Sequence, residues 1–220
     1  MMRTVFDSQL ALLEAQMLVM ASSMEEAVVG AVEVLESRDK ERARAIMEGD
    51  DDIDHQEREI EALCLKLLLT QQPVAGDLRR VSAALKMVGD MERIADQAAD
   101  IAEIVLTLEG EAFDSKLNKH LAKMGRQAAG MVHDAAEAFV KRDGERASQV
   151  VGEDASVNEM FERVKRDIIK GIQAESDPAA NLVEALMVAK YLERVGDHAQ
   201  NIAEWGEYSI TGRYKGELLG

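Results

Sequence analysis

Apolar side chains return at spacings of three and four along almost the whole chain, the rhythm of helices that bury one face. Leu10, Leu13, Met17, Met24, Val28 and Leu35 predict a first helix of about thirty residues, far beyond the usual length of about 11. Arg38-Asp39 begins a short turn. Ile46, Ile53, Ile60, Cys64 and Leu67 predict a second helix that ends near Gln71-Gln72. Pro73 is expected in the first turn of a third helix, where its missing N–H costs nothing. That helix carries Leu78, Val81, Leu85, Val88, Ile94, Ile101 and Val105, and is expected to stop at Gly110.

The pattern then starts again. Asp114 or Ser115 can cap a fourth helix bearing Leu117, Leu121, Met124, Met131 and Phe139, and Arg142-Asp143-Gly144 forms its turn. A fifth helix runs to about Gln173. Ser176-Asp177-Pro178 supplies a cap and a proline for the sixth, which is expected to end near Trp205-Gly206 and leave a short tail. Identity between the halves supports a repeat. Arg38-Asp39-Lys40-Glu41-Arg42-Ala43 matches Arg142-Asp143-Gly144-Glu145-Arg146-Ala147, and Glu92-Arg93-Ile94-Ala95-Asp96 matches Glu193-Arg194-Val195-Gly196-Asp197. The offset drops from 104 to 101 residues between these blocks, so the second copy is shorter in one loop. Short turns force consecutive long helices to pack antiparallel. The expected fold is therefore all-α, two repeated three-helix bundles over residues 1–110 and 111–220, sharing an interface or a continuous helix.

Composition narrows the function. With 220 residues and 47% apolar side chains the chain can bury a sizeable core, and its two prolines and 4% aromatics favour helix. The formal charge of −16 repels phosphate backbones, which argues against nucleic acid and suits cations or a basic patch on another protein. Cys64, alone in an apolar run, reads as a small buried hydrophobe rather than half of a disulfide. No secretory leader and no membrane span is legible. The chain is expected in the cytoplasm, reaching the inner face of the membrane only through partners.

The chemistry lies in acids at helical spacing. Glu92, Asp96 and Asp100 stack on one face of the third helix, with Glu103 beyond them. The sixth helix repeats the stripe as Glu193, Asp197, Asn201 and Glu204. On the second helix the apolar seam skips through Asp50 and Glu57, flanked by Asp54 and Glu61, so carboxylates occupy positions that should face partner helices. Buried acids need a cation, a base or water. In the second copy Asp154 and Asn158 keep the places of Asp50 and Asp54, but Phe161 replaces Glu57. Oxygen-only ligands suit Mg, Ca, Mn or ferric iron. Solvated faces paired to Arg93 and Arg194 would explain one stripe; recurrence of the string in both copies favours a site. No catalytic residue is assigned. A di-iron oxidase needs Glu-x-x-His pairs, and none of His55, His120, His133 and His198 has a Glu three residues before it. The chain is expected not to be an enzyme. The alternative, a carboxylate–metal hydrolase or oxidase on the same stripes, would need an open coordination position and a poised base.

The strings from Asp90 to Ala98 and from Tyr191 to Glu204 resemble the paired signatures of the PhoU family, the bacterial phosphate-transport and phosphate-signalling regulators. The first departs from the family pattern at Ala95, where Gly is usual, and at Asp100. The resemblance covers about residues 5–208. It implies two three-helix bundles, a regulatory role, and a bound divalent or ferric ion (Fe, Mn, Mg or Zn). The first site would use Glu92, Asp96 and Asp100 with Asp50 and Asp54; the second would use Glu193, Asp197 and Asn201 with Asp154. It also implies a homodimer and two partners, the ATPase subunit of the phosphate ABC transporter and a phosphate-responsive sensor histidine kinase.

Overall fold

The structure, a computed structural model, describes residues 2–108, 113, 115–174 and 179–219. They form α1 (Met2–Ser37), α2 (Lys40–Gln71), α3 (Gly76–Thr107), α4 (Ser115–Lys141), α5 (Gly144–Ala174) and α6 (Ala179–Thr211), followed by the two-residue strands β1 (Arg213–Tyr214) and β2 (Glu217–Leu218). The all-α expectation holds. The expected stop at Gly110, the cap at Asp114 and the Ser176-Asp177-Pro178 start lie outside the described residues.

The Arg-Asp string shared by the halves is a paired stop and start. Arg38 (φ 57°) and Arg142 (φ 55°) turn left-handed and end α1 and α4. Each following aspartate then caps the next helix. Asp39 Oδ1 accepts from the Glu41 and Arg42 amides at 3.1 and 3.0 Å. Asp143 Oδ1 accepts from the Glu145 and Arg146 amides at the same distances, 3.1 and 3.0 Å.

Three local expectations are corrected. Pro73 lies in the connection and not in the first turn of α3, because left-handed residues on both sides of it, Gln72 (φ 47°) and Ala75 (φ 47°), hold the chain out of helix until Gly76. Leu78 is exposed rather than seamward. α6 continues past Trp205-Gly206 to Thr211. Gly206 is buried inside α6 and faces Phe139 of α4, where a Cβ would make an ordinary contact at 3.7 Å. The tail pairs β1 with β2 antiparallel. Tyr214 stacks on Trp205 at 4.0 Å between ring centroids.

Four helices form the centre: α1 packs on α3 and α4, and α6 packs on α3 and α4. α2 covers the α1–α3 edge and α5 the α4–α6 edge. One apolar cluster runs through both halves, and equivalent residues such as Leu13 and Leu117, Met20 and Met124, or Leu35 and Phe139 are all buried in it. At the α1–α4 crossing a Cβ on Gly125 would lie 2.3 Å from Val32 Cγ2, so only glycine allows this approach.

Candidate functional site

The α2 seam turns as expected, with Ile53, Ile60, Cys64 and Leu67 buried. Asp50, Asp54 and Glu57 share that face and are half-buried against α3, where Glu92, Asp96 and Asp100 are half-buried in turn. The carboxylates lie within one another's electrostatic reach. Partial burial, then the charges of Asp96, Asp54, Asp51 and Asp100, push the Asp50 carboxyl up to about 6. Partial burial followed by Asp96, Glu57 and Asp54 raises Glu92. Asp96 is raised by partial burial and then Asp54, and Asp100 by partial burial, Asp96 and Glu103. Glu57, raised by partial burial, Glu61 and Asp54, belongs to the same group. Among the described residues only Asp54 of these six forms an ion pair, with Arg58 at 2.7 Å. Arg93 is exposed and pairs with none of them.

Six half-buried carboxylates in one another's fields, only one of them in an ion pair among the described residues, fit a hard cation by donor chemistry. As placed, they do not close into a tight cage. Among the described residues the three donors within 4.8 Å of one another are His133, Asp134 and Glu137 on α4. Arg146 already pairs with Asp134 and Glu137, and Lys141 with Glu137.

The second half has the same layout but supplies its own positive charge. Gly196 brings α5 close: a Cβ there would meet Val157 Cγ1 at 3.2 Å and Asp154 Oδ1 at 3.4 Å. Asp154 is raised by partial burial and by Asp197, against a 2.7 Å hydrogen bond donated by the Asn158 amide. Glu193 pairs with Lys190. That ammonium lies 5.6 Å from the ring centroid of Phe161, the residue standing where Glu57 stands in the first half. Glu204, nearly buried, pairs with Lys215 of the terminal hairpin at 3.2 Å. Asp197 is exposed. The Asn201 amide turns to the other half and donates to Asp90 Oδ1 at 3.2 Å, an oxygen that His198 Nδ1 also meets at 2.7 Å.

The structure thus places Asp50, Asp54 and Glu57 of α2 beside Glu92, Asp96 and Asp100 of α3. Asp154 is brought near Glu193 and Asp197, while Asn201 faces Asp90. The Asp90–His198–Asn201 contact had no sequence signal, because Asp90 corresponds to Tyr191 in the repeat and His198 to Gln97.

These features define a class: a helical protein made by duplication of a three-helix unit, with an acidic seam in the first copy and a charge-compensated one in the second. The PhoU domain pattern matches residues 17–105 and 121–206, and the chain belongs to the PhoU family. It is 35% identical over 214 residues to the phosphate-specific transport system accessory protein PhoU homolog of Clostridium acetobutylicum, covering 97% of each chain. It is 33% identical to homolog 1 of Thermotoga maritima, over 97% of this chain and 92% of that one. The crystal structure of PhoU from Pseudomonas aeruginosa superposes with a TM-score of 0.89 at 31% identity, covering 94% of this chain and 100% of the other. The phosphate transport system regulatory protein PhoU from Streptococcus pneumoniae gives 0.87 at 29% identity, over 98% and 99%.

Proposed function

We propose that the chain is an accessory protein that regulates phosphate uptake and phosphate-starvation signalling, linking the transporter's ATPase subunit to a phosphate-responsive sensor histidine kinase. The observation that carries this reading is end-to-end similarity to relatives named as phosphate-transport accessory proteins. The molecule's own features are compatible with it. Among the described residues no helix is long and apolar enough to cross a membrane. Cys64 is buried, and burial followed by Glu61 pushes its thiol up to about 12, which removes it as a nucleophile. In this reading the role is regulatory rather than catalytic, in line with relatives named as accessory proteins.

In this reading Asp50, Asp54, Glu92, Asp96 and Asp100 hold a divalent or ferric ion (Fe, Mn, Mg or Zn), and Glu57 lies beside them. The ion would neutralise acids that repel one another across α2 and α3. Lys190 and Lys215 leave the second group less need of one.

The test is affinity capture of the tagged chain from solubilised membranes at high and at low phosphate, probed for the ATPase subunit and the kinase. Phosphate-dependent recovery of both is expected. Recovery of neither at either phosphate level would overturn the adaptor role.

A further inference from the structure

The two copies differ on the outer face between their first and second helices. In the second half, positions 116, 120 and 123 of α4 and 163 of α5 are Lys, His, Lys and Arg. Asp167 clamps this face shut, meeting Lys116 at 2.8 Å and His120 at 2.8 Å. The cavity left there is about 150 Å³. The equivalent first-half residues, at the constant offset of 104, are Leu12, Gln16, Val19 and Glu59. No clamp forms, and a cavity of about 320 Å³ opens between Leu12, Val19 and Ile60. Val19 is 59% and Leu12 50% exposed, large values for aliphatic side chains on a face with a cavity. A second cavity of about 890 Å³ continues the line, and Gln56 borders both.

The second cavity is different in kind. Small residues, Ala27, Gly30, Ala45 and Gly49, lower its walls. Its acids are Glu25, Glu26, Glu33 and Asp52. Arg42 pairs with Glu33 at 2.6 Å and His133 meets Glu25 at 2.9 Å. Glu26 and Asp52 are exposed and have no ion pair among the described residues. The groove from residue 12 to residue 33 of α1 is about 32 Å long at the rise of a helix.

We infer that this α1–α2 groove is a docking surface for a basic amphipathic helix of a partner protein. Its apolar side chains would sit on Leu12 and Val19, above the buried Ile60, and its Lys or Arg side chains would meet Glu26 and Asp52. Helix-in-groove recognition needs apolar anchor positions and a charge pattern that sets direction. Both are present here, and the charge-clamped counterpart in the other half lacks them. Negatively charged lipid and nucleic acid are repelled by the same rim. The inference rests on the accessory-protein reading only in that an accessory protein needs a docking face, and its test uses neither phosphate nor the transporter.

The probe is a synthetic amphipathic helix of about eighteen leucine and lysine residues, titrated by fluorescence anisotropy at physiological salt. L12K/V19K, which installs the second-half residues, should weaken binding on the order of tenfold. E26Q/D52N should weaken it about threefold, and E145Q/E217Q, the same charge change on exposed residues elsewhere, less than about twofold. Equal losses for the two charge pairs, or no loss in L12K/V19K, would overturn the proposal. Hydrogen exchange of the wild-type chain decides the matter even if a variant unfolds. Peptide-dependent protection confined to residues 12–33 and 45–60 supports the groove, and protection elsewhere sinks it. Self-association of the wild type that L12K/V19K abolishes would assign the face to a second copy and reject a partner helix.

Discussion

Asp50 is the acid on which the acidic seam can be weighed. Its carboxyl sits at about 6 in the folded chain against 3.8 when unperturbed, because it is partly buried and faces Asp96, Asp54, Asp51 and Asp100. Folded protein therefore holds a proton that unfolded protein has released between those two values, and stability falls as pH rises through this window. The penalty is absent below the lower value and complete above the upper one. Two units correspond to about 3 kcal/mol, and solvent screening of a half-buried group reduces this to about 1 kcal/mol. D50N removes the charge and keeps the shape. With EDTA at pH 8 the variant should melt about 2–4 °C above wild type, the shift that about 1 kcal/mol gives in a chain of this size. At pH 3.5 the two should coincide. Millimolar Mn or Mg should then raise the wild-type midpoint by mass action and raise that of D50N less. A metal-free variant at pH 8 that melts at or below wild type would refute the claim that these acids repel. An equal gain at both pH values would show that the effect is not electrostatic.

Four further outcomes follow from the geometry. D96N/D100N should remove the stabilisation by Mn, Mg or ferric iron while leaving the metal-free midpoint unchanged or higher, read by scanning fluorimetry. G125A should destabilise by about 1–3 kcal/mol in denaturant titration, since β-branched Val32 cannot move aside cheaply. D143A, which strips the α5 cap, should cost about 1 kcal/mol in the same assay. Cys64 should resist alkylation at pH 8 in the native chain and react once unfolded, a mass shift that mass spectrometry reads directly.

What could be read in the sequence was whatever depends on short range. The Arg38-Asp39 and Arg142-Asp143 strings carry their own cap chemistry, so both turns were legible. Asp50 and Asp54 on α2, and Glu92, Asp96 and Asp100 on α3, follow from helical period alone. Glycine is ambiguous: Gly206 looks like a helix stop but lies inside α6, which runs on to Thr211. The positive-φ residues Gln72 and Ala75 are not glycines, so no local signal marks the turn and Pro73 reads as the start of a helix. The terminal hairpin depends on Trp205 meeting Tyr214, and the neutralised second seam on Lys190 reaching both Phe161 and Glu193. The α3–α6 register that joins Asp90 to His198 is likewise a product of packing, and no local pattern encodes it.

The exchange of Glu57 for Phe161 has a mechanical consequence. With a cation held among the acids of the first seam, the spacing of α2 and α3 would answer to ions from outside. An aromatic ring in its place seats Lys190 beside Glu193, and the α5–α6 side carries its counterion with it. A cation entering the molecule would therefore pull on one flank and leave the opposite flank as a fixed reference. Because α3 and α6 lie directly against each other, any such pull is borne at the joint between the two halves. In that case the two copies of one unit would serve as a lever arm and its mount.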